Sequence, residues 1–147
     1  MRKIIFIAMA SAIAFGCGST PGTPTEFANA CNADNEKKTL EVGGVLQART
    51  GIFCSNTSGR MECGFDFSDA VGSEKKFSAE IEQGSGANTV DKIEKGFKKE
   101  DIKVRDNAGN QIALGADKIK LTGKMSIVAP FQSSPGVCFM TVEKIEK

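Results

Sequence analysis

Five cysteines and no histidine set the chemistry open to this 147-residue chain. A cysteine thiolate serves as a nucleophile, a metal ligand, half of a disulfide or an acylation site. Without histidine the usual Ser-His and Cys-His activation is absent. No two of Cys17, Cys31, Cys54, Cys63 and Cys138 form a CxxC pair, so zinc and haem sites have almost nothing to work with. Setting Cys17 aside leaves an even number, for which two disulfides are the better use and three pairings are open.

The remaining chemistry-bearing groups are carboxylates, such as Asp66 with Asp69 and Glu80 with Glu82. Acid and base catalysis often uses such pairs. Here they alternate with apolar residues, which marks them as the solvated face of strands. The run around Asp106-Asn-Ala-Gly-Asn110 suggests a calcium loop, but it lacks the bidentate acid at the twelfth position. No catalysis, metal or other cofactor is expected.

These residues must be carried by elements, and the first is N-terminal. Arg2 and Lys3 precede an apolar run from Ile4 to Phe15, and Gly16 precedes Cys17. Twelve residues in a helix reach about 18 Å, short of a hydrocarbon core of roughly 30 Å, so a permanent span is a poor reading. The pattern resembles a bacterial lipoprotein signal, with Ala14 and Phe15 at positions where the family has an aliphatic and a small residue. The resemblance implies a signal peptide over 1–16 and diacylglycerol, with palmitate-type acyl chains, on Cys17. The partner is then a membrane of the cell envelope. Gly18 after the cysteine resembles outer-membrane sorting, on the periplasmic side or at the cell surface. Two or three acyl chains exceed what stable anchoring needs.

Residues 17–38 form the tether and arm. Residues 18–25 hold two of the four prolines and almost nothing apolar, a spacer that spans roughly 25 Å when extended. Residues 26–38 are mixed and polar around Phe27 and Cys31. Loss of Arg2 and Lys3 takes 19 basic and 18 acidic residues to 17 and 18, a side-chain charge of −1. Such a balance has no global pull towards nucleic acid or anionic lipid.

The folded domain, 39–147, is dominated by alternation at period two. Leu40, Val42, Gly44, Leu46 and Ala48 alternate with Glu41, Gly43, Gln47 and Arg49, with Val45 as the exception. Met61, Cys63, Phe65 and Phe67 form a second inward row, and Phe77, Ala79 and Ile81 a third. In the fourth, Ile119, Leu121, Gly123, Met125 and Ile127 face in, with Lys118, Lys120, Thr122 and Lys124 facing out. A fifth strand runs over 137–145. Between strands three and four, Val90, Ile93 and Phe97 predict a helix over 89–99 capped by Asn88, although Gly96 weakens it. Residues 102–105 and 111–114 then flank the turn at Asp106 as an extra hairpin.

Three strands, a helix and two strands is the order of an OB-fold Greek-key barrel, with a small lipocalin-like or inhibitor-type β-barrel as the alternative. Val42-Gly-Gly-Val-Leu46, Glu62-Cys-Gly-Phe65, the run 115–123 and Cys138-Phe-Met-Thr-Val142 resemble small bacterial envelope lipoproteins with an OB-like, tRNA-anticodon-binding-type barrel. The resemblance implies a five-stranded barrel acting as a non-catalytic binding module. It also implies the disulfides Cys54 with Cys63 and Cys31 with Cys138, because the second and fifth strands of such a barrel are not neighbours.

In that layout the loops 50–59 and 129–136 border one face. Arg49, Asn56, Ser58, Arg60, Phe131 and Gln132 are the candidate ligand-binding residues, with Phe131 as an apolar tip. The chain has neither Trp nor Tyr, so sugars and nucleic acid, which need stacking platforms, are disfavoured. A protein or small ligand is the expected partner, and a passive structural role in an envelope assembly is the alternative. The row of Lys118, Lys120 and Lys124 suits either an acidic partner or protection of a strand edge.

Overall fold

The computed structural model describes residues 20–57 and 59–147, so Cys17 and Ser58 lie outside the described residues. Seven strands form one sheet: β1 (Thr23–Pro24), β2 (Thr39–Gln47), β3 (Cys54–Thr57), β4 (Arg60–Ser68), β5 (Lys76–Glu82), β6 (Lys118–Val128) and β7 (Val137–Glu146). Their order is β1-β2-β6-β7-β5-β4-β3, and an additional β2–β4 pairing closes the ring. Five strands, β2, β4, β5, β7 and β6, make the barrel. The β5–β7 pair is parallel and the other barrel pairs are antiparallel. This is the strand order of the OB fold, and the five strands predicted from alternation are its five barrel strands.

The alternation becomes the core. Leu40, Val42, Leu46, Phe65, Phe67, Ala79, Ile81, Leu121, Met125, Met140 and Ile145 are all buried in one cluster. Each large side chain taken fully from water stabilises the fold by about 1.5–3 kcal/mol. Closing so small a ring demands sharp coiling, which β6 achieves at a bulge between Thr122 and Gly123. A Cβ on Gly123 would collide with the Thr141 carbonyl oxygen and lie 2.7 Å from Met140 Cγ. Thr122, predicted to face out, is 4% exposed. It is flanked across the sheet by the long side chains of Glu41 and Lys144. Met61, predicted to face in, is 41% exposed because β4 begins beyond the end of the core.

The arm over 26–38 plugs one end of the barrel. Phe27 stacks on Phe77 at 5.2 Å and meets Phe67 at 5.9 Å. Cys31 is bonded to Cys138 at the start of β7, and Cys54 to Cys63 across β3 and β4. Both bridges are those implied by the barrel layout.

The helix over 89–99 is absent. Val90 is instead an extended residue, bridged to Gln83 and Val104. Its amide donates to the Glu82 carbonyl at 3.0 Å. Asn88 does not cap a helix: it adopts the left-handed region at φ 59°, and its side-chain oxygen accepts from the Ile145 amide at 2.8 Å. Gly96, also left-handed at φ 81°, turns the chain again before a single 3-10 turn at Lys99–Asp101. The extra hairpin is present, with Arg105 bridged to Gln111. Asp106, nearly buried, closes its turn by accepting from the amides of Ala108 and Asn110 at 2.9 and 2.8 Å.

Candidate functional site

The strand registers place a row of carboxylates on the outside of the barrel. Cys63, Phe65, Ala79, Ile81 and Met140 point inward, so their neighbours Glu62, Glu80, Glu82 and Thr141 point outward. Glu62 lies directly opposite Glu82, and Glu80 opposite Thr141. Together with Glu143, Phe139, Lys124 and Arg60 they line an open groove across β4, β5, β7 and the end of β6. The 87–89 turn and Thr57 close its margin.

The groove is electrostatically uneven. Arg60 stands 3.7 Å from Glu82, an exposed pair of little energetic weight. Among the described residues no cation comes within ion-pair distance of Glu62, Glu80 or Glu143. Burial and then the charge of Glu62 push the Glu80 carboxyl above its ordinary range, against a smaller opposing pull from Arg49. No group of His, Cys, Asp and Glu among the described residues is arranged to hold a metal ion.

Ser58 apart, which is not described, the candidate ligand-binding residues are dispersed. Arg49 lies over Gly64, where the missing Cβ leaves it space, and is committed to Asp66 at 2.7 Å and to the Phe65 carbonyl at 3.2 Å. Lys76 approaches the same Asp66 at 2.8 Å. Burial raises that carboxyl, but the two cations outweigh it and hold Asp66 below the usual carboxylate range. Asn56 accepts from the Gly59 amide at 3.1 Å and so shapes its own turn. Of the five that are described, only Arg60 lines the groove.

Phe131 and Gln132 sit at the far end of the molecule. The loop over 129–136 joins the end of β6 to the start of β7, whereas the β3–β4 turn precedes β4. Since β7 is parallel to β5 and β5 antiparallel to β4, the two loops leave opposite ends of the barrel. They do not converge beside one another, and no residue of 129–136 lines the groove. The lysine row divides as well: Lys120 pairs with Glu41 at 3.2 Å, while the bulge brings Lys124 to the groove.

No family model matches this chain, and no match is found among the curated proteins or the solved structures. The groove was foreshadowed only by the outward positions of Glu62, Glu80 and Glu82. Their gathering depends on the β5–β7 register, for which the sequence has no local signal.

Proposed function

We propose that this protein is a non-catalytic, lipid-anchored recognition module of a bacterial cell envelope, which binds a cationic segment of a protein, or a cationic small ligand, along the groove over β4, β5 and β7. The observation that carries the reading is Glu80, a half-buried carboxyl crowded by Glu62, with no cation within ion-pair distance among the described residues. A bound ammonium or guanidinium group supplies the missing counter-charge and relieves that crowding. Phosphate backbones are repelled by the same carboxylates, and Phe139 is the only aromatic residue in the lining, which disfavours nucleic acid. The anchor rests on the signal-like segment ending at Cys17.

The test is capture of partners from detergent-solubilised envelopes by the full chain and by the Glu62→Gln/Glu80→Gln double variant. Capture should fall about tenfold or more, as expected when a partly buried charge-assisted contact is removed. The melting temperature should not fall. Undiminished capture by the double variant removes the groove reading. A loss confined to Phe131→Ala assigns recognition to the 129–136 loop instead. If every variant keeps its partners, the protein is a passive structural component.

A further inference from the structure

The barrel has two unlike ends, and at one of them the 129–136 loop forms an uncharged, apolar tip beside a β4–β5 connection that carries the exposed Asp69, Glu74 and Lys75. From Val128 to Val137 the sequence Val-Ala-Pro-Phe-Gln-Ser-Ser-Pro-Gly-Val contains no charged residue. Val128, Phe131 and Val137 are 59%, 73% and 48% exposed. Val71, on the β4–β5 connection at the same end, is 65% exposed. Large side chains left in water together at one place mark a contact surface. At the other end the 83–117 connection carries Lys92, Lys95, Lys98, Lys99 and Lys103, all exposed.

The tether leaves towards the end that carries this hairpin. Thr23 pairs with Leu40, and Leu40 with Gly123. Because β1 is parallel to β2 and β2 antiparallel to β6, the chain preceding Thr23 heads in the direction in which β6 runs from Gly123 to Val128. Those five residues of strand cover about 17 Å. The six residues from Cys17 to Thr23 span at most about 22 Å, whatever their conformation. A lipid on Cys17 therefore cannot reach more than about 5 Å beyond the base of the hairpin along that direction.

We infer that the β6–β7 hairpin is a second membrane contact, with Phe131, Val128 and Val137 entering the interface of the bilayer that holds the Cys17 lipid, so that the barrel stands on this end and presents its groove sideways. This rests on the anchoring proposed above. An uncharged, apolar tip costs little to desolvate at the headgroup boundary, while the lysine-bearing end retains its hydration. The acyl chains provide the affinity and the hairpin fixes the orientation.

The absence of Trp and Tyr makes the test direct, because Phe131→Trp creates a single-tryptophan protein. The control is Phe53→Trp, equally exposed at 75% but on the connection that leaves the other end of β2. Full-length protein purified from envelopes is reconstituted into phosphatidylcholine vesicles with or without brominated acyl chains, and its palmitate content is measured. Brominated lipid should quench the tryptophan at 131 by about twofold, with a blue-shifted emission, and leave that at 53 nearly unchanged. Palmitate-bearing protein with equal or no quenching at the two positions overturns this inference and leaves the anchor standing. Protein that carries no acyl chain overturns the anchor and this inference with it.

Discussion

Removing the Cys31–Cys138 bridge should cost more stability than removing Cys54–Cys63, through the unfolded chain more than the folded one. The bridges close loops with sequence separations of 107 and 9. By loop entropy they are worth up to about 4.8 and about 2.7 kcal/mol respectively. For a folded unit of this size each kcal/mol is about 4 °C of melting temperature, so the losses should approach about 19 and about 11 °C. Alanine is the appropriate replacement, since serine would place an unpaired hydroxyl at Cys63, which is fully buried. The cavity left there adds about 1 kcal/mol to the smaller loss, so temperature alone separates the pairs weakly. The denaturant slope separates them better. Opening the long loop lets the unfolded chain expand and expose more surface, so m should rise for Cys31→Ala/Cys138→Ala and barely change for Cys54→Ala/Cys63→Ala. Calorimetry and urea titration of both double variants give the two numbers. An unchanged m in the long-loop variant, or a greater loss from the short loop, refutes the unfolded-state account and points to contacts of the folded arm.

Gly123→Ala should destabilise by about 1–3 kcal/mol, because the methyl meets the Thr141 carbonyl in a ring that cannot widen locally, while Gly43→Ala, with nothing within 4 Å, should stay within about 0.5 kcal/mol. Thermal melts of the two side by side check this, and equal effects refute the collision. Glu80 has a raised carboxyl, so the folded chain holds its proton more tightly than the unfolded chain, and ionisation costs stability as pH rises through the folded value. Glu80→Gln should therefore raise the melting temperature at pH 7 and leave it unchanged below the unfolded carboxylate range. Asp66 has the opposite sign: its lowered carboxyl stabilises above the unfolded value and loses that contribution as pH falls through the folded one, so Asp66→Asn should be destabilising at pH 7 only. Cys17→Ser should abolish incorporation of labelled palmitate and leave the precursor uncleaved; undiminished labelling refutes the anchor.

The barrel was legible because each of its strands is wet on one face and dry on the other. Phe65 and Phe67 alternate with Gly64 and Asp66, and no helical register of that run gives one apolar side. β3 escaped because Ser55, Asn56 and Thr57 are all exposed, which leaves the strand without a pattern; only the cysteine pair across its turn betrayed it. The segment over 89–99 misled for a related reason. Val90, Ile93 and Phe97 fit a helical stripe, but so few apolar residues also fit an extended chain that touches the core at one point and grazes it at two. Val90 is fully buried there, while Ile93 and Phe97 are half-buried. The left-handed Asn88 and Gly96 on either side favour that extended path, and pairing with Glu82 and Lys103 provides backbone partners that an isolated short helix lacks.

The candidate surfaces were harder to see for a reason that lies in the fold itself. Alternation assigns each residue to the inside or outside of its own strand, but a site consists of outside residues from several strands, and their relative heights are set by register. Glu80 reads locally as one more solvated carboxylate; only the β4–β5 pairing sets Glu62 and Glu82 beside one another, and only the parallel β5–β7 pairing brings Thr141 and Phe139 alongside. The same registers decide the polarity of the barrel. They send the tether and the uncharged hairpin to one end and the lysine-rich connection to the other, leaving the carboxylate groove on the wall between them. The proposed anchor at one end and the proposed binding groove on the wall are compatible demands: in that arrangement a partner lying alongside the membrane would reach Glu62 and Glu80 without displacing the hairpin. If Phe131 were instead the centre of the recognition site, contact with the bilayer and capture of the partner would compete. Adding phosphatidylcholine vesicles would then lower capture by the lipidated protein, whereas the groove arrangement predicts that capture is unaffected.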